Sequence, residues 1–464
     1  MSGNIDTGVG VKVRARPLSA KERVLTLDVL RGFALFGIMF INVYAFFNPD
    51  PRAWFSVPWS NIGPAEYSYE VFKIFFVQGK FYTLFAFLFG LGFAVQLASA
   101  ERRGGSFALR FLWRMVILWL IGAVHLLFIW DGDILHSYAA AGLLLLVCFA
   151  IKRLVLDKLV NRFSATRDKA PRWLMLVVAA LLVFGPQINF GRVVYQQTQI
   201  MKAHEAGQSL TTQQQVIVDR NLKLGDPARA EQHQKSIDKT GVVFKEGSYV
   251  DTVNHRITHS SKRLLPGMFW VTLCGIFLVG AYFGRNEFIE RAAQLRGGFV
   301  KLAIAALVIG VPTSLLFVYA YTAKPADGGI FWFWLTFISK SSSALAFALM
   351  YVSIITLSML TPAKRWLLHL APVGRMALSN YLIQSIIGTI VFYGFGLGLM
   401  SNIGILIQVG FVVVLFSLQI VFSRWWLARF RFGLVEWLWR SLTYLKLQPF
   451  RVKISNPAMA EKLV

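Results

Sequence analysis

About ten apolar runs recur along this chain, each near the ~20 residues that carry a helix across ~30 Å of hydrocarbon. Lipid offers no water to a backbone N–H or C=O, so each run has to close its own hydrogen bonds as a helix. The spans read as 27–47, 71–98, 111–130, 134–151, 173–190, 265–284, 299–321, 332–360, 376–396 and 403–423. The expected fold is an all-α polytopic membrane protein, its transmembrane helices in one bundle.

Lys and Arg set the expected orientation. Lys12, Arg14, Arg16, Lys21 and Arg23 precede the first span, and every second connection after it is basic: Arg102, Arg103 and Arg110; 152–172; 285–301; Lys364 and Arg365. The short connections between these are poor in such residues, so the positive-inside rule puts both termini in the cytoplasm. The organisation is then a basic arm at 1–26, a transmembrane domain at 27–423 and a basic tail at 424–464 carrying an interfacial helix. With no small-x-small cleavage site after a short apolar region, the first helix is expected to stay as an uncleaved anchor.

The formal net charge of +25 is spread along one membrane face. It therefore points to anionic lipid as the partner and away from nucleic acid. Cys148 and Cys274 both fall inside apolar spans, where a thiol acts as a small hydrophobe; neither a disulfide framework nor a metal cluster follows.

One long exterior connection, 191–264, holds eleven Lys and Arg, but long loops are largely exempt from the charge rule. Poor in large apolar residues, it cannot bury a core of its own, although 213–224 has the pattern of a short helix. It reads either as a solvated loop or as a cap over an exterior opening.

Chemistry concentrates where ionisable groups are costly. HLLFIWDGDILH, from His125 to His136, places two histidines and two aspartates at the hinge between two apolar runs. On the first span Asp28, Arg31 and Asn42 share a face, and eleven residues, about 16 Å, separate Arg31 from Asn42. Arg114 and His125 repeat that spacing on the third span. Two such helices side by side would enclose a passage, cationic at the cytoplasmic end and polar at the other; the plainer alternative is that both arginines snorkel to headgroups.

Four further features place polar or ionisable groups in or beside apolar spans. Lys80 follows Gly79 in an apolar stretch too long for one helix, so a break there brings it to the exterior mouth. Asn380, Gln384 and Gly388 form a stripe at i, i+4, i+8, suited to interhelical hydrogen bonding or to lining a site. Lys340 precedes three serines inside another span. Glu436 and Arg440, at i, i+4 among Trp437, Trp439 and Tyr444, read as a salt-bridged interfacial anchor or as a clamp at the cytoplasmic mouth.

LDVLRGFALFGIMFIN at 27–42, GKFYTLFAFLFGLGF at 79–93, GAVHLLFIWDGDIL at 122–135, GRMALSNYLIQSIIG at 374–388 and GLVEWLWRSLTY at 433–444 together resemble the YeiB family, whose shared region is called DUF418. The likeness covers most of the chain in order, with one departure. Where the family has Gly-Pro-Leu-Glu-Trp, this chain has Gly433, Leu434, Val435, Glu436 and Trp437.

The family is similar in turn to the wider transmembrane acyltransferases, heparan-alpha-glucosaminide N-acetyltransferase and bacterial sugar O-acyltransferases among them. They resemble this chain in an Asp-x-x-Arg-Gly start, here Asp28, Arg31 and Gly32, and the glucosaminide enzymes also in an outer Asn, here Asn42. Their catalytic His shortly after that Asn has no counterpart, so His125 takes its place by chemistry and not by alignment.

The resemblance implies acyl-CoA as donor, an exterior acceptor and a bacterial plasma-membrane location. Arg31, Arg114, Lys80, Asn380, Gln384 and Arg440 are the expected donor-binding residues. Asn42 is expected to polarise the thioester, His125 to act as base, and Asp133, or else Asp131, to orient it. His136 is the second candidate base and otherwise a cap of the fourth helix; no metal is expected. The rival reading is a transporter or lipid-handling protein that uses the same polar groups as a proton relay.

Overall fold

The computed structural model describes residues 24–48, 63–102, 107–152, 154, 171–225, 227–323, 330–401 and 404–452. The basic arm before Val24, most of the 152–172 connection and the end of the tail from 453 lie outside the described residues.

Among the described residues eight helices are long and apolar enough to cross a membrane, and two shorter apolar ones join them. In chain order the helices are α1 (Leu25–Phe47), α2 (Pro64–Phe72), α3 (Lys80–Arg102), α4 (Ala108–Val124), α5 (Leu135–Ile151) and α6 (Leu174–Glu205). Then come α7 (Thr212–Gly225), α8 (Pro227–Glu246), α9 (Tyr249–His255), α10 (Met268–Arg285), α11 (Arg296–Thr322) and α12 (Ile330–Ser358). α13 (Lys364–Leu367), α14 (Ala371–Arg375), α15 (Ala377–Phe392), α16 (Ile405–Arg429) and α17 (Leu434–Tyr444) complete the chain. The molecule is an all-α polytopic membrane protein, and each of the ten expected spans has its helix.

α3 and α10 form the centre. Gly90 lies against the Phe277 backbone and Gly280 against that of Phe87, a small-residue approach that lets two helices meet where lipid supplies no hydrophobic drive between them. α1 packs on α3 and on α14–α16, and α5 on α4 and α10. The outer helices instead expose aliphatic side chains, Ile304, Leu307 and Val308 on α11 and Leu406, Val414 and Leu418 on α16. Such continuous apolar faces suit acyl chains, not water.

Two spans depart from plain helix. The second enters as α2, passes through a π turn at Lys73–Val77, breaks and restarts as α3. The break is at Gly79, whose φ of 85° few other residues adopt. The third span ends in a second π turn, His125–Ile129.

The segment that reads in sequence as an exterior loop is helical. α6 runs for 32 residues, about 48 Å, well beyond the hydrocarbon. α7, α8 and α9 follow, and a third π turn spans Arg256–Ser260. Its apolar deficit is made good by the bundle: Phe244 packs on Tyr393, with ring centres 5.1 Å apart, and the Tyr249 hydroxyl donates to the Phe128 carbonyl at 2.9 Å. The Gly394 N–H donates to the Phe244 carbonyl. These helices form a cap docked over the end of α4.

Candidate functional site

The turn between α4 and α5 folds back into the bundle. A side chain at Gly122 would collide with the His136 backbone and the Asp133 carboxylate. Asp133 therefore lies at the level of Gly122, about 10 Å before the end of the π turn. This explains why α5, at 17 residues, is short.

Asp133 is the hub. Its Oδ2 accepts from His125 Nδ1 at 2.7 Å; its Oδ1 accepts from His136 Nδ1 at 2.7 Å and from the His136 backbone N–H at 3.0 Å. Asp133, not His136, thus caps α5, the helix of the fourth span. Burial pushes its carboxyl up, but the bonds from His125 and His136 outweigh burial and hold it below the usual carboxylate range.

An ionised Asp133 assigns the Nδ1 proton to both rings, leaving each Nε2 with a lone pair. That of His136 accepts from the Ser137 hydroxyl at 3.0 Å. His125 Nε2 is buried without a hydrogen-bond partner among the described residues. Its ring centre is 5.2 Å from Tyr381 on α15 and 6.3 Å from Trp130, so two aromatic rings flank the buried imidazole.

Asn42 reaches this region indirectly. Phe46, one turn along α1, packs at a tilt on Trp130 with ring centres 4.3 Å apart, and the Asn42 Nδ2 donor is likewise buried and without a partner among the described residues. Asp131 faces elsewhere: its carbonyl accepts from Arg263 at 2.7 Å and its carboxylate is 3.8 Å from the same guanidinium. It belongs to the joint between bundle and cap.

The arginines gather at the opposite ends of α1 and α4. Arg31 pairs with the buried Asp28 at 3.1 Å, and Gly92 of α3 leaves room for its guanidinium. Arg114 donates to Gln96 of α3 at 3.3 Å and stacks 3.9 Å over Trp439. α1 and α4 are not each other's principal neighbours; α3 packs on α1, and its Gln96 accepts from Arg114. Arg440 stacks on Phe432 at 4.8 Å.

Glu436 takes a role that its i, i+4 spacing to Arg440 hides. It accepts from the Leu378 and Ser379 N–H groups at 2.7 and 3.1 Å and from the Ser379 hydroxyl at 2.5 Å, capping α15 from a different helix. Asn380 Nδ2 donates to Ser423 Oγ at 2.9 Å and Gln384 Nε2 to Gln419 Oε1 at 2.8 Å, so this stripe ties α15 to α16. Lys80 Nζ donates to the Ile74 carbonyl at 2.7 Å and lies between the Phe317 and Phe347 rings. Its contacts are on the first π turn, α11 and α12, away from the His125 turn.

A family model described as a protein of unknown function, DUF418, matches residues 283–446. A relative in Bacillus subtilis (strain 168), named uncharacterized protein YxaH, is 31% identical over 94% of this chain and 98% of its own length. The chain belongs to the DUF418 family. YeiB of Escherichia coli (strain K12), also named as uncharacterized, is 30% identical over 94% of this chain and all of its own. No solved structure matches this DUF418 protein. The matched segment contains Tyr381, the α15–α16 amide tie and the Glu436 cap; the His125–Asp133 turn precedes it.

Sequence reasoning passed over Tyr381, Trp130, Gln96 and Arg256. Tyr381 lies between the two amides of the α15 stripe, where an aromatic residue reads as ordinary lipid-facing surface. Arg256 lies in a segment read as loop, and nothing in its neighbours' composition marks it as buried.

Proposed function

We propose that this DUF418 protein is a membrane-embedded acyltransferase that takes an acyl group from cytoplasmic acyl-CoA to a hydroxyl or amine acceptor on the exterior face. In this reading both termini are cytoplasmic and the membrane is the bacterial plasma membrane. The observation that carries it is His125: Nδ1 held by Asp133, Nε2 buried and without a partner. A positioned imidazole whose tautomer is set by a carboxylate is what general-base activation of an acceptor requires.

The chemistry follows. The acceptor gives its proton to His125 Nε2 and attacks the thioester carbonyl; the C–S bond breaks, and the CoA thiolate leaves with the proton returned by the imidazolium. Asn42, whose buried amide donor has no hydrogen-bond partner among the described residues, is the group assigned to stabilise the oxyanion in this reading. Arg31 and Arg114, at the other end of the same helices, and Arg440 on α17 suit the donor's phosphates. About 16 Å separates Arg114 from His125 along α4, so donor and base act from opposite ends of one helix.

The test is acyl-CoA hydrolysis or transfer by purified protein in detergent, comparing wild type with His125→Ala. Loss of turnover with retained folding supports the assignment. Equal rates would remove His125 from the mechanism, and absence of acyl-CoA binding would remove the enzyme class. The hydrogen-bonded series His125–Asp133–His136–Ser137 also favours a second reading, a proton relay for transport. Proton-coupled solute uptake into proteoliposomes, with no acyl-CoA turnover, decides for that rival.

A further inference from the structure

Arg256 is fully buried, and Nε, Nη1 and Nη2 all lack a hydrogen-bond partner among the described residues. A guanidinium carries five N–H donors and stays charged; sealing them from water without an acceptor is strongly unfavourable. Its surroundings compensate only in part, through the neighbouring Tyr393 side chain. Phe244 and Tyr393 present ring faces 5.9 and 5.8 Å away, at the outer limit of useful cation–π attraction.

The acid at the end of the bundle is Asp131, and its carboxylate is 3.8 Å from Arg263. Asp131 is thus committed to Arg263, and Arg256 has no carboxylate hydrogen-bonded to it among the described residues. The position is also built. Arg256 opens the π turn Arg256–Ser260, which packs against the π turn opened by His125. π turns are rare and recur at functional sites because the inserted residue re-aims side chains. Here two of them meet, each opening with a buried side chain that has unpartnered nitrogen.

We infer that Arg256 is the anchor of an oxyanion-binding site under the cap, taking a carboxylate or phosphate group that enters from the cap side. The guanidinium fork matches such a group bidentately, and the ring faces of Phe244 and Tyr393 wall the position from lipid. Because this π turn touches that of His125, a ligand held there presents the rest of its body toward the base. Naming the acceptor as an anionic molecule rests on the acyl-transfer reading; the binding itself does not.

The oxyanion has two possible sources, a phospholipid headgroup and a soluble anion. Thermal unfolding of the detergent-solubilised protein is followed while inorganic phosphate is titrated against chloride at matched ionic strength. Phosphate is expected to raise the midpoint saturably in wild type, with at least tenfold weaker apparent affinity in Arg256→Gln and partial retention in Arg256→Lys. Should Arg256→Gln not fold, Arg263→Gln keeps the test, with a several-fold weakening expected from the lost neighbouring charge.

Repetition in nanodiscs separates the sources. If the occupant is a headgroup, phosphatidylglycerol discs show a smaller phosphate response than phosphatidylcholine discs; if it is soluble, the two agree. No phosphate-specific shift in wild type in detergent or in either disc, or an unchanged shift in Arg256→Gln, overturns the inference. Phosphate binding without acyl-CoA turnover would sink the acyl-transfer reading alone, and turnover without oxyanion binding would sink this inference alone.

Discussion

Two membrane spans of this protein are interrupted in the same way, by a π turn followed by a sharp break, yet they treat their buried ionisable side chains differently. At the first, Lys80 returns its ammonium to the Ile74 carbonyl of the preceding π turn and is flanked by two phenylalanine rings. At the second, His125 gives one nitrogen to Asp133 and leaves the other buried and unpartnered. Lys80 closes its own helix break; His125 is positioned and left with capacity to accept a proton. Burial of a polar group alone does not mark a site. What marks it is a group held rigidly by one atom and available at another.

The comparison breaks most readily at His125. Exchange for Gln, close in volume, is expected to lower acyl transfer on the order of 10²–10⁴-fold, the range for loss of a general base, with the unfolding midpoint nearly unchanged. A variant that unfolds in proportion to its lost activity would make His125 structural, like Lys80.

Asp133→Asn should lower transfer by roughly 10²-fold, because the amide cannot hold both rings in the reactive tautomer. It should also lower stability by about 1–3 kcal/mol, since Asp133 accepts three hydrogen bonds in a buried turn. Turnover and denaturant midpoints of one preparation check both halves, and an active but destabilised variant would leave Asp133 as a cap only.

Lys80→Met sharpens the contrast from the other side. Leaving the Ile74 carbonyl without its donor is expected to cost about 1–3 kcal/mol, with transfer rate and KM for acyl-CoA little changed. A raised KM at unchanged stability would return Lys80 to the donor site.

The smallest effect concerns the cap. Burial, followed by repulsion from His259, holds His255 below its usual 6.5, while Asp131 opposes and Arg256 adds to the depression. A histidine depressed in the folded state contributes stability that is present above about pH 6.5 and lost as pH falls through its folded value. The wild-type midpoint should therefore fall slightly relative to His255→Asn between about pH 7 and pH 5. A gap that widens in the opposite sense would show that this histidine gains a proton partner on folding.

Much of the scaffold was readable in advance, because one rule, apolar length against bilayer thickness, acts on each helix separately. The least readable boundaries were at polar segments. α6 runs on to Glu205 because helix continues wherever backbone bonds can close, in lipid or out of it. The cap helices bury Phe244 and Thr252 against the bundle although their own composition holds too little apolar surface for a core. In the site, the His125–Asp133–His136 cluster was visible as a cluster because all three lie within one turn of chain. Its division of labour was not: Asp131 and Asp133 differ by two residues and face different partners.

By itself the sequence determined the ten apolar spans, the placement of basic residues along the chain and the concentration of ionisable groups at one turn. These follow from distances of a few residues, where a rise of 1.5 Å and a turn of 100° are fixed by the backbone. Only the tertiary structure decided that Glu436 caps α15, that Gln96 bridges toward Arg114, that Tyr381 shields His125 and that Arg256 is buried beside it. Those pairings join residues far apart in the chain, and lipid-like helix faces of equal hydropathy do not distinguish one partner from another. Close packing and buried hydrogen bonds do.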